Sequence, residues 1–319
     1  MLQRLKKNWF LFALIAVALI TVADVRSVLV TPGTWLKEHN GPDSVIVLIF
    51  FLSGIALDTK QIKKGLADFQ GTLLALVLIF CIAPCIAILF ALMPLSTGII
   101  LGLFLVAAMP TTLSSGVVMT GNAGGNSAHA LLITIIANSL AVITIPVILG
   151  ILLSFTRDSR IIEIDQLPIM IKIATLVLLP LIAGIAIRNT FDSAITPFLT
   201  YTTIGNQIGI LMMVWMALCA GKEAIVAEFE SILPIIAVVF LFHLALVVTA
   251  LFITRIGGVG KGRRESIIFM GGQKTLPLSI ILQVTLFPEF GIALVVCVVH
   301  HIIHLIMDAF LIQYLKNME

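Results

Sequence analysis

The feature that most constrains this chain is a succession of apolar stretches, each about twenty residues long, separated by short polar breaks. An α-helix needs about 20 mainly apolar residues to cross the hydrocarbon core of a bilayer. Apolar residues make up 60% of the 319 residues and charged residues 11%, against roughly 45–50% and 25% in soluble domains. The sequence therefore predicts an all-α integral membrane protein. We predict ten transmembrane helices, at residues 9–28, 43–58, 69–92, 97–121, 127–154, 167–187, 200–220, 231–253, 265–287 and 290–314.

No long polar segment remains outside these spans, so we expect one membrane domain over residues 1–319. Such a chain has no room for a soluble catalytic or nucleic-acid-binding module. The polar linker at 156–166 separates five spans from five, and an odd number per half inverts the second half relative to the first. We therefore predict two inverted five-helix repeats, at 1–156 and 166–319, an arrangement found in many secondary transporters.

The basic residues predict the orientation of the chain. With the N-terminus inside, twelve of the 19 Lys and Arg residues lie on the cytoplasmic side and six on the opposite side, as the positive-inside rule requires. This favours the cytoplasmic (inner) membrane, with both termini cytoplasmic. The apolar N-terminal segment lacks a convincing small-residue cleavage site, so we expect it to be retained as the first span.

The fourth span contains a segment that forms helix poorly, from Pro110 to Gly116. Proline lacks an amide donor, and Ser and Thr side chains compete for backbone groups. The ninth span has Gly271 and Gly272 before Gln273-Lys274-Thr275, and Pro277 suits the first turn of a restarted helix. We predict that both helices break at these positions.

Both predicted breaks lie about 12 Å from the cytoplasmic edge, at 1.5 Å per residue. Two facing breaks at one depth would form a polar binding site near the midplane, unless they are ordinary proline–glycine kinks. We expect Ser115 and Thr275 to cap the restarted half-helices. The candidate substrate- or ion-binding residues at the breaks are Thr112, Ser114, Ser115, Gly116, Met270, Gly272, Gln273, Lys274 and Thr275.

Lys274 is the most informative single residue, because a charge at this depth costs about 2.5–3.5 kcal/mol on insertion scales. One interpretation is a fixed positive charge that binds an anionic substrate or changes its protonation state. The other is an ammonium group satisfied by carbonyls of the broken helices.

The last span places His300, His304 and Asp308 on one helical stripe at intervals of four, with His301 beside it. This polar face predicts a proton relay or an ion pair between Asp308 and Lys274. The spacing of the histidines also matches metal ligands, but no cysteine or carboxylate cluster accompanies them. We expect no metal here and regard the remaining intramembrane histidines, at 129 and 243, as isolated packing residues.

Three segments resemble the bile acid:sodium symporter superfamily, and specifically its SBF-like branch: FLSGIALDTKQI (51–62), MPTTLSSGVVMTGNAGGN (109–126) and FMGGQKTLPLSI (269–280). The resemblance implies a ten-helix fold with a panel of spans 1, 2, 6 and 7 and a core of spans 3–5 and 8–10. Spans four and nine would be the broken crossing helices.

In sodium-coupled members of the superfamily, one sodium is held at the first break, by the next helix, and by a glutamate that opens an E-x-G-x-Q-N motif. The matching positions here retain Ser114, Ser115 and Thr134, with Asn138 one turn beyond. The resemblance therefore adds Thr134 and Asn138 to the candidate binding residues.

Three positions depart from the sodium-coupled pattern. Phe269 stands in place of the glutamate, Lys274 in place of the asparagine, and about Ile79 in place of a glutamine that serves a second sodium. A cation would have lost its anionic ligand and gained an ammonium neighbour. We hypothesise that Lys274 substitutes for a bound sodium, so that sodium binding is uncertain and coupling to it is weakened or lost.

The sequence favours a secondary transporter of a small organic anion, working by alternating access, rather than an enzyme. No cofactor is indicated, the expected partners are the anion and the lipid bilayer, and the oligomeric state stays open. One alternative is a non-transporting regulator or sensor with the same fold, because the SBF-like branch is associated with calcium homeostasis. A further alternative is an intramembrane metalloprotein using His300, His304 and Asp308.

Overall fold

The structure is a computed structural model, and it describes residues 9–57, 68–156, 165–227 and 229–318. Most of the 156–166 linker, and the N-terminal, 60–64 and 157–160 basic residues used to predict orientation, lie outside this part of the chain. The described residues form helices and connecting turns, without β-strands. This agrees with the all-α prediction.

Sixteen α-helices follow one another in the described residues. In chain order they are α1 (Trp9–Ala23), α2 (Val30–Glu38), α3 (Gly41–Ala56), α4 (Phe69–Val77), α5 (Ala83–Ala91), α6 (Thr97–Ala108), α7 (Ser115–Asn122), α8 (Ser127–Leu153), α9 (Gln166–Ile173), α10 (Leu179–Thr190), α11 (Asp192–Ile195), α12 (Leu199–Ala227), α13 (Ile232–Ile256), α14 (Arg263–Gly272), α15 (Leu276–Leu286) and α16 (Gly291–Asn317). A π-helical turn at Leu78–Ile82 joins α4 to α5, and another at Ala174–Leu178 joins α9 to α10.

Seven helical segments in the described part are long and apolar enough to cross a membrane. The pair α2 and α3, bent by 79° between its members, would make an eighth span. The first and fourth predicted spans correspond to shorter apolar helices, Trp9–Ala23 and Thr97–Ala108. The chain is therefore a multi-pass membrane protein, although length and composition identify seven or eight spans rather than ten.

Helix α3 packs against both α10 and α12, and α12 also contacts α1. A Cβ atom on Gly54 of α3 would lie 3.0 Å from the Gly184 Cα of α10, so only a glycine pair allows this close approach. The Asn206 amide of α12 donates a 3.0 Å hydrogen bond to the Ser53 hydroxyl of α3. These contacts form one group of helices.

The centre of the molecule is the segment containing α14 and α15. Every residue from 264 to 283 is buried, and helices α4, α6, α7, α8, α13 and α16 pack around this segment. A segment that is buried on all sides belongs to the interior of a helical bundle. Any polar group in this segment must therefore find its partners within the protein.

Candidate functional site

The first break follows the end of α6 at Ala108. Met109 is extended, with φ −72° and ψ 148°, because Pro110 disfavours helical backbone in the residue before it. The next helix begins at Ser115. The Ala107 and Met109 carbonyls at this helix end consequently lack the amide donors that a continuous helix would supply.

The π-helical turn between α4 and α5 exposes a third carbonyl. The Ala83 amide donates to the Leu78 carbonyl, five residues back. The corresponding donor for the Ile79 carbonyl would be residue 84, but Pro84 has no amide hydrogen. The sequence of this turn therefore leaves the Ile79 carbonyl free to accept a bond from elsewhere.

Lys274, in the second break, supplies the donors for these three carbonyls. Its ammonium nitrogen Nζ lies 2.7 Å from the Ile79 oxygen, 3.1 Å from the Ala107 oxygen and 3.0 Å from the Met109 oxygen. The side chain is 2% exposed. An ammonium group has three donors, and all three are used. Of the two interpretations of Lys274, the geometry matches the ammonium satisfied by backbone carbonyls.

Gln273 connects the two breaks through its side chain. Its Oε1 accepts hydrogen bonds from the hydroxyls of Thr112, at 2.7 Å, and Ser115, at 2.9 Å. Its Nε2 donates to Asp308 Oδ2 at 2.7 Å. The backbones also meet directly, because the Thr275 amide donates to the Pro110 carbonyl at 3.0 Å. The two predicted breaks therefore face each other.

We call the place where the two breaks meet the crossing. Two glycines allow close approach there, between α7 and α14 and between α14 and the π-helical turn. A Cβ on Gly116 would lie 2.7 Å from the Met270 sulfur, and one on Gly271 would lie 2.7 Å from Leu78 Cδ1 in the π-helical turn. Both separations are shorter than van der Waals contact. Gly272 is less constrained, since the nearest atom to its Cβ position is 3.6 Å away, on His243.

The predicted capping roles of Ser115 and Thr275 are wrong. Ser115 is the first residue of α7, and its hydroxyl is bonded to Gln273 instead. The Thr112 hydroxyl accepts from the Gly116 amide at 3.1 Å and takes the capping role. Thr275 occupies the N-cap position of α15, but its side chain makes no capping hydrogen bond in the described structure.

The remaining candidate residues, Ser114 of the first break and Thr134 and Asn138 of α8, differ in their exposure to solvent. Ser114 is exposed. Thr134 of α8 is buried and donates to the Ala130 carbonyl at 3.0 Å and to the Thr112 carbonyl at 3.4 Å. The Asn138 amide donates to the carbonyls of Thr134, at 2.9 Å, and Thr111, at 3.3 Å. Two side chains of α8 therefore donate hydrogen bonds to backbone carbonyls of the first break.

Asp308 is buried, and the Lys274 ammonium is bonded to three backbone carbonyls rather than to the Asp308 carboxyl group. Oxygen Oδ1 accepts from Nε2 of His243 at 3.0 Å, while Oδ2 accepts from Gln273. His243, on α13, was expected to be an isolated packing residue, and this expectation is wrong. Its ring also contacts those of His300 and His304. The predicted stripe on α16 therefore faces a histidine of another helix.

A second polar cluster surrounds Asp68 at the N-terminal ends of α4, α8 and α14. Arg263 donates two hydrogen bonds to its carboxylate, and the Gly71 amide donates a third at 2.9 Å. Burial raises the pKa of Asp68, but these bonds and the nearby positive charges outweigh it, so its pKa lies below the ordinary value. The carboxylate therefore remains charged. His129, also expected to be isolated, bonds to the Ser266 hydroxyl at 2.6 Å.

Sequence reasoning missed three features of the site: the free Ile79 carbonyl, the His243–Asp308 pair and the cluster around Asp68. The sequence contains a signal for the free Ile79 carbonyl. In a π-helical turn, the carbonyl of one residue accepts from the amide five residues later, and a proline at that position has no amide hydrogen to donate. The other two had none, since they join residues at least 65 positions apart.

Comparison with known proteins then decides the family. A model of the SBF-like CPA transporter family matches residues 8–317, which is nearly the whole chain. The chain belongs to this family. Membership confirms the resemblance seen at the two breaks and in the segment 51–62, and it makes the chain a member of a transporter family.

Individual relatives of this SBF-like protein include cotransporters from plants and vertebrates. The probable sodium/metabolite cotransporter BASS4, chloroplastic, of Arabidopsis thaliana is 28% identical over 290 residues, covering 83% of this chain and 64% of that protein. This chain thus spans less than two thirds of the length of the Arabidopsis relative. The sodium/bile acid cotransporter 7-B of Xenopus laevis is 24% identical over 329 residues, covering 99% and 94%. The sodium/bile acid cotransporter 7 of Danio rerio is 25% identical over 294 residues, covering 88% and 84%.

Proposed function

We propose that this SBF-like protein is a secondary transporter of a small organic anion in which Lys274 replaces a bound sodium ion. The single observation that carries the proposal is the position of the Lys274 ammonium among three backbone carbonyls, at 2.7–3.1 Å. Carbonyl oxygens at a helix end and an unwound segment are the ligands that broken helices offer to a cation. We call the carbonyls of Ile79, Ala107 and Met109 the carbonyl cradle. Because the Lys274 ammonium is covalently attached to the chain, a cradle that holds it needs no ion from solution.

The substitution accounts for two of the three departures from the sodium-coupled pattern together. Phe269, in the place of the sodium-binding glutamate, is 1% exposed and supplies no ligand oxygen. Lys274 adds the positive charge that a bound sodium would supply. We therefore expect the crossing to keep its electrostatics while coupling to sodium is lost.

The anion would bind near the crossing without a direct bond to Lys274, whose three donors are already used. Its charge and the N-terminal ends of α7 and α15 still give this region a positive potential, which favours an anion. Ser114 is the exposed polar side chain at the start of α7. We propose that the substrate contacts the crossing from this side.

Transport requires two groups of helices that move relative to one another. We propose ten spans, counting α1 as the first and α6 with α7 as the broken fourth, in two inverted halves at 1–156 and 166–319. The group formed by α1, α3, α10 and α12 would rock as a panel against a core that contains the crossing. The basic residues favour the cytoplasmic membrane, with both termini cytoplasmic.

The proposal is tested with purified protein in proteoliposomes and in a thermal stability assay. The probes are a bile acid, a sulfated steroid and a small monocarboxylate, each with sodium chloride and with choline chloride. We expect at least one anion to stabilise the protein and to be taken up equally in both salts. Binding without uptake would instead favour a membrane regulator or sensor, and no response to any probe would contradict the proposed site.

A double variant, Phe269→Glu with Lys274→Asn, tests the substitution from the opposite direction. It restores the glutamate and the asparagine of the sodium-coupled motif. We expect saturable, sodium-specific stabilisation of this variant and none of the Phe269→Glu single variant, in which the ammonium still fills the cradle. Equal behaviour of the two variants would contradict the role assigned to Lys274.

A further inference from the structure

Four histidine side chains are gathered in the protein interior between α13 and α16. They are His243, His300, His301 and His304, and each is at most 4% exposed. The ring centroid of His304 lies 5.7 Å from that of His243, 5.3 Å from that of His300 and 4.6 Å from that of His301. We call these four residues the histidine cluster.

The histidine cluster is poorly satisfied as a structural element. Six of its ring nitrogens are buried without a hydrogen-bond partner among the described residues: Nδ1 of His243, Nε2 of His300, and both nitrogens of His301 and His304. Leaving a buried polar group unpaired costs about 1–3 kcal/mol, and ionisable residues inside a membrane are rare unless they are used. This arrangement therefore points to a ligand that binds imidazole nitrogen.

The geometry favours a proton over a metal ion as that ligand. Within the described ranges, no three His, Cys, Asp or Glu side chains are arranged so that they could hold a metal ion. A proton needs only one ring nitrogen with a free lone pair, which every neutral imidazole has. Histidine is also the side chain whose unperturbed pKa lies nearest to neutral pH.

We propose that the histidine cluster is a proton-binding site and that the proton is the ion whose movement drives transport. This inference rests on the proposed function, since it supplies the coupling ion that Lys274 has displaced. On one side of the membrane, an O–H bond of a hydronium ion breaks as the proton forms an N–H bond with a ring nitrogen. On the other side that N–H bond breaks as the proton forms an O–H bond with water, so one bond is formed and one broken in each step.

A continuous path of hydrogen bonds joins the histidine cluster to the crossing. His243 bonds to Asp308 at 3.0 Å, Asp308 accepts from Gln273 at 2.7 Å, and Gln273 accepts from Thr112 and Ser115. An imidazolium beside Asp308 would form a charge-assisted hydrogen bond to Oδ1. It would draw electron density from the carboxylate and so weaken the bond that Oδ2 accepts from Gln273. Binding of a proton can therefore change the contacts between the two broken helices.

Few other charged groups face the histidine cluster. Asp308 lies on the same helix, and Lys274 interacts electrostatically with His300 from the second break. Within the described residues, the neighbouring helices α1, α6, α7 and α15 carry no titratable side chains, and α5 carries only the exposed Cys85. Helix α14 has its charged residues at 263–265, at the opposite end from Gly272, whose Cβ position lies 3.6 Å from His243. On α12 the thiol and charged groups lie at residues 219–223, where Gly221 packs near Gly291 at the far end of α16. Cys297 of α16 is buried and directed towards the Gly102 carbonyl.

Proton binding can be measured without any organic anion. The full chain, labelled with carbon-13 in its six histidines, is placed in lipid nanodiscs and followed by NMR between about pH 5 and pH 8. Single His→Gln variants assign the signals, and exposed His39 is the internal reference. We expect at least one signal of the histidine cluster to titrate. If His39 titrates while all four cluster signals stay unchanged, the proposal is overturned.

The link to the crossing is tested with two buried glutamines. Gln273→Leu removes the donor to Asp308, whereas Gln283→Leu removes bonds to the Phe287 and Phe290 carbonyls, away from the histidine cluster. We expect Gln273→Leu alone to move the midpoint of the cluster titration. An unchanged midpoint in both variants, or equal changes, would overturn the link. Because no anion is present, these outcomes do not depend on the anion screen, and either proposal can fail alone.

Discussion

The two broken helices contribute opposite halves of the same site. The first break is partly exposed at Ser114 and supplies acceptors, since the Ala107 and Met109 carbonyls both point at the crossing. The second break, Gln273 to Thr275, is buried and supplies the Lys274 ammonium that donates to these carbonyls, while its Gln273 side chain accepts from two hydroxyls of the first break. The positive charge can lie in the most buried segment because the other break and the π-helical turn provide its partners.

A broken helix therefore need not bind a free ion to be stable. The carbonyls released by one break are satisfied by a side chain from the other. Removing either member should therefore destabilise both breaks, and the size of the loss should follow the number of buried groups left without partners.

The largest effect is expected for Lys274→Met, which keeps the volume of the side chain but removes all three donors. Each orphaned carbonyl costs about 1–3 kcal/mol, so we expect a loss of about 3 kcal/mol or more, measured as a lower apparent melting temperature in nanodiscs.

The matched control for this variant is Lys172→Met. The Lys172 ammonium bonds to Thr285 and lies 3.5 Å from Asp43, with its side chain 27% exposed. Because water can replace these partners, we expect a loss of about 1 kcal/mol or less. Equal losses of stability in the two variants would mean that the three buried carbonyl bonds of Lys274 stabilise the protein no more than the partly exposed contacts of Lys172.

The next largest effect is expected for Gln273→Leu. This change leaves Thr112, Ser115 and Asp308 without a shared partner. Loss of hydrogen bonds to a buried carboxylate costs about 1.5–3 kcal/mol, so we expect destabilisation of that order by the same assay. A melting temperature equal to that of the unmodified protein would show that the side-chain connection between the breaks is unimportant.

A smaller effect is expected for Pro84→Ala, measured as its interaction free energy with Lys274→Met. The amide hydrogen that this change introduces can donate to the Ile79 carbonyl, so Lys274 would have one acceptor fewer to satisfy. We expect Lys274→Met to cost about 1 kcal/mol less in this background, the net value of one hydrogen bond. A double-mutant cycle measures this difference.

The control comes from the second π-helical turn, Ala174–Leu178, which is followed by Pro180 at the same spacing. The ammonium of Lys274 does not reach this turn. Pro180→Ala and Lys274→Met should therefore be additive, and coupling of similar size at both prolines would contradict the account.

The smallest effects distinguish two adjacent serines of the first break. Ser115→Ala removes the bond to Gln273 and should cost about 0.5–1.5 kcal/mol. Ser114 is exposed and its side chain makes no capping bond, so Ser114→Ala should stay within about 0.5 kcal/mol. A larger loss of stability for Ser114→Ala than for Ser115→Ala would contradict the assignment of the Gln273 bond to Ser115.

Much of this crossing could be predicted from the sequence, because its determinants are local. Pro110 disfavours helix in the residue before it, Pro277 suits the first turn of a new helix, and a buried lysine demands partners. The identity of those partners could not be predicted. The Ile79 carbonyl is 195 positions from Lys274, and His243 is 65 from Asp308, so these pairings follow from how the helices pack.

The replacement of sodium by Lys274 is tested by measuring thermal stability as a function of sodium concentration at constant ionic strength, with choline as the replacement ion. We predict no sodium-specific stabilisation of the unmodified protein. Saturable, sodium-specific stabilisation that Lys274→Met leaves intact would contradict the account.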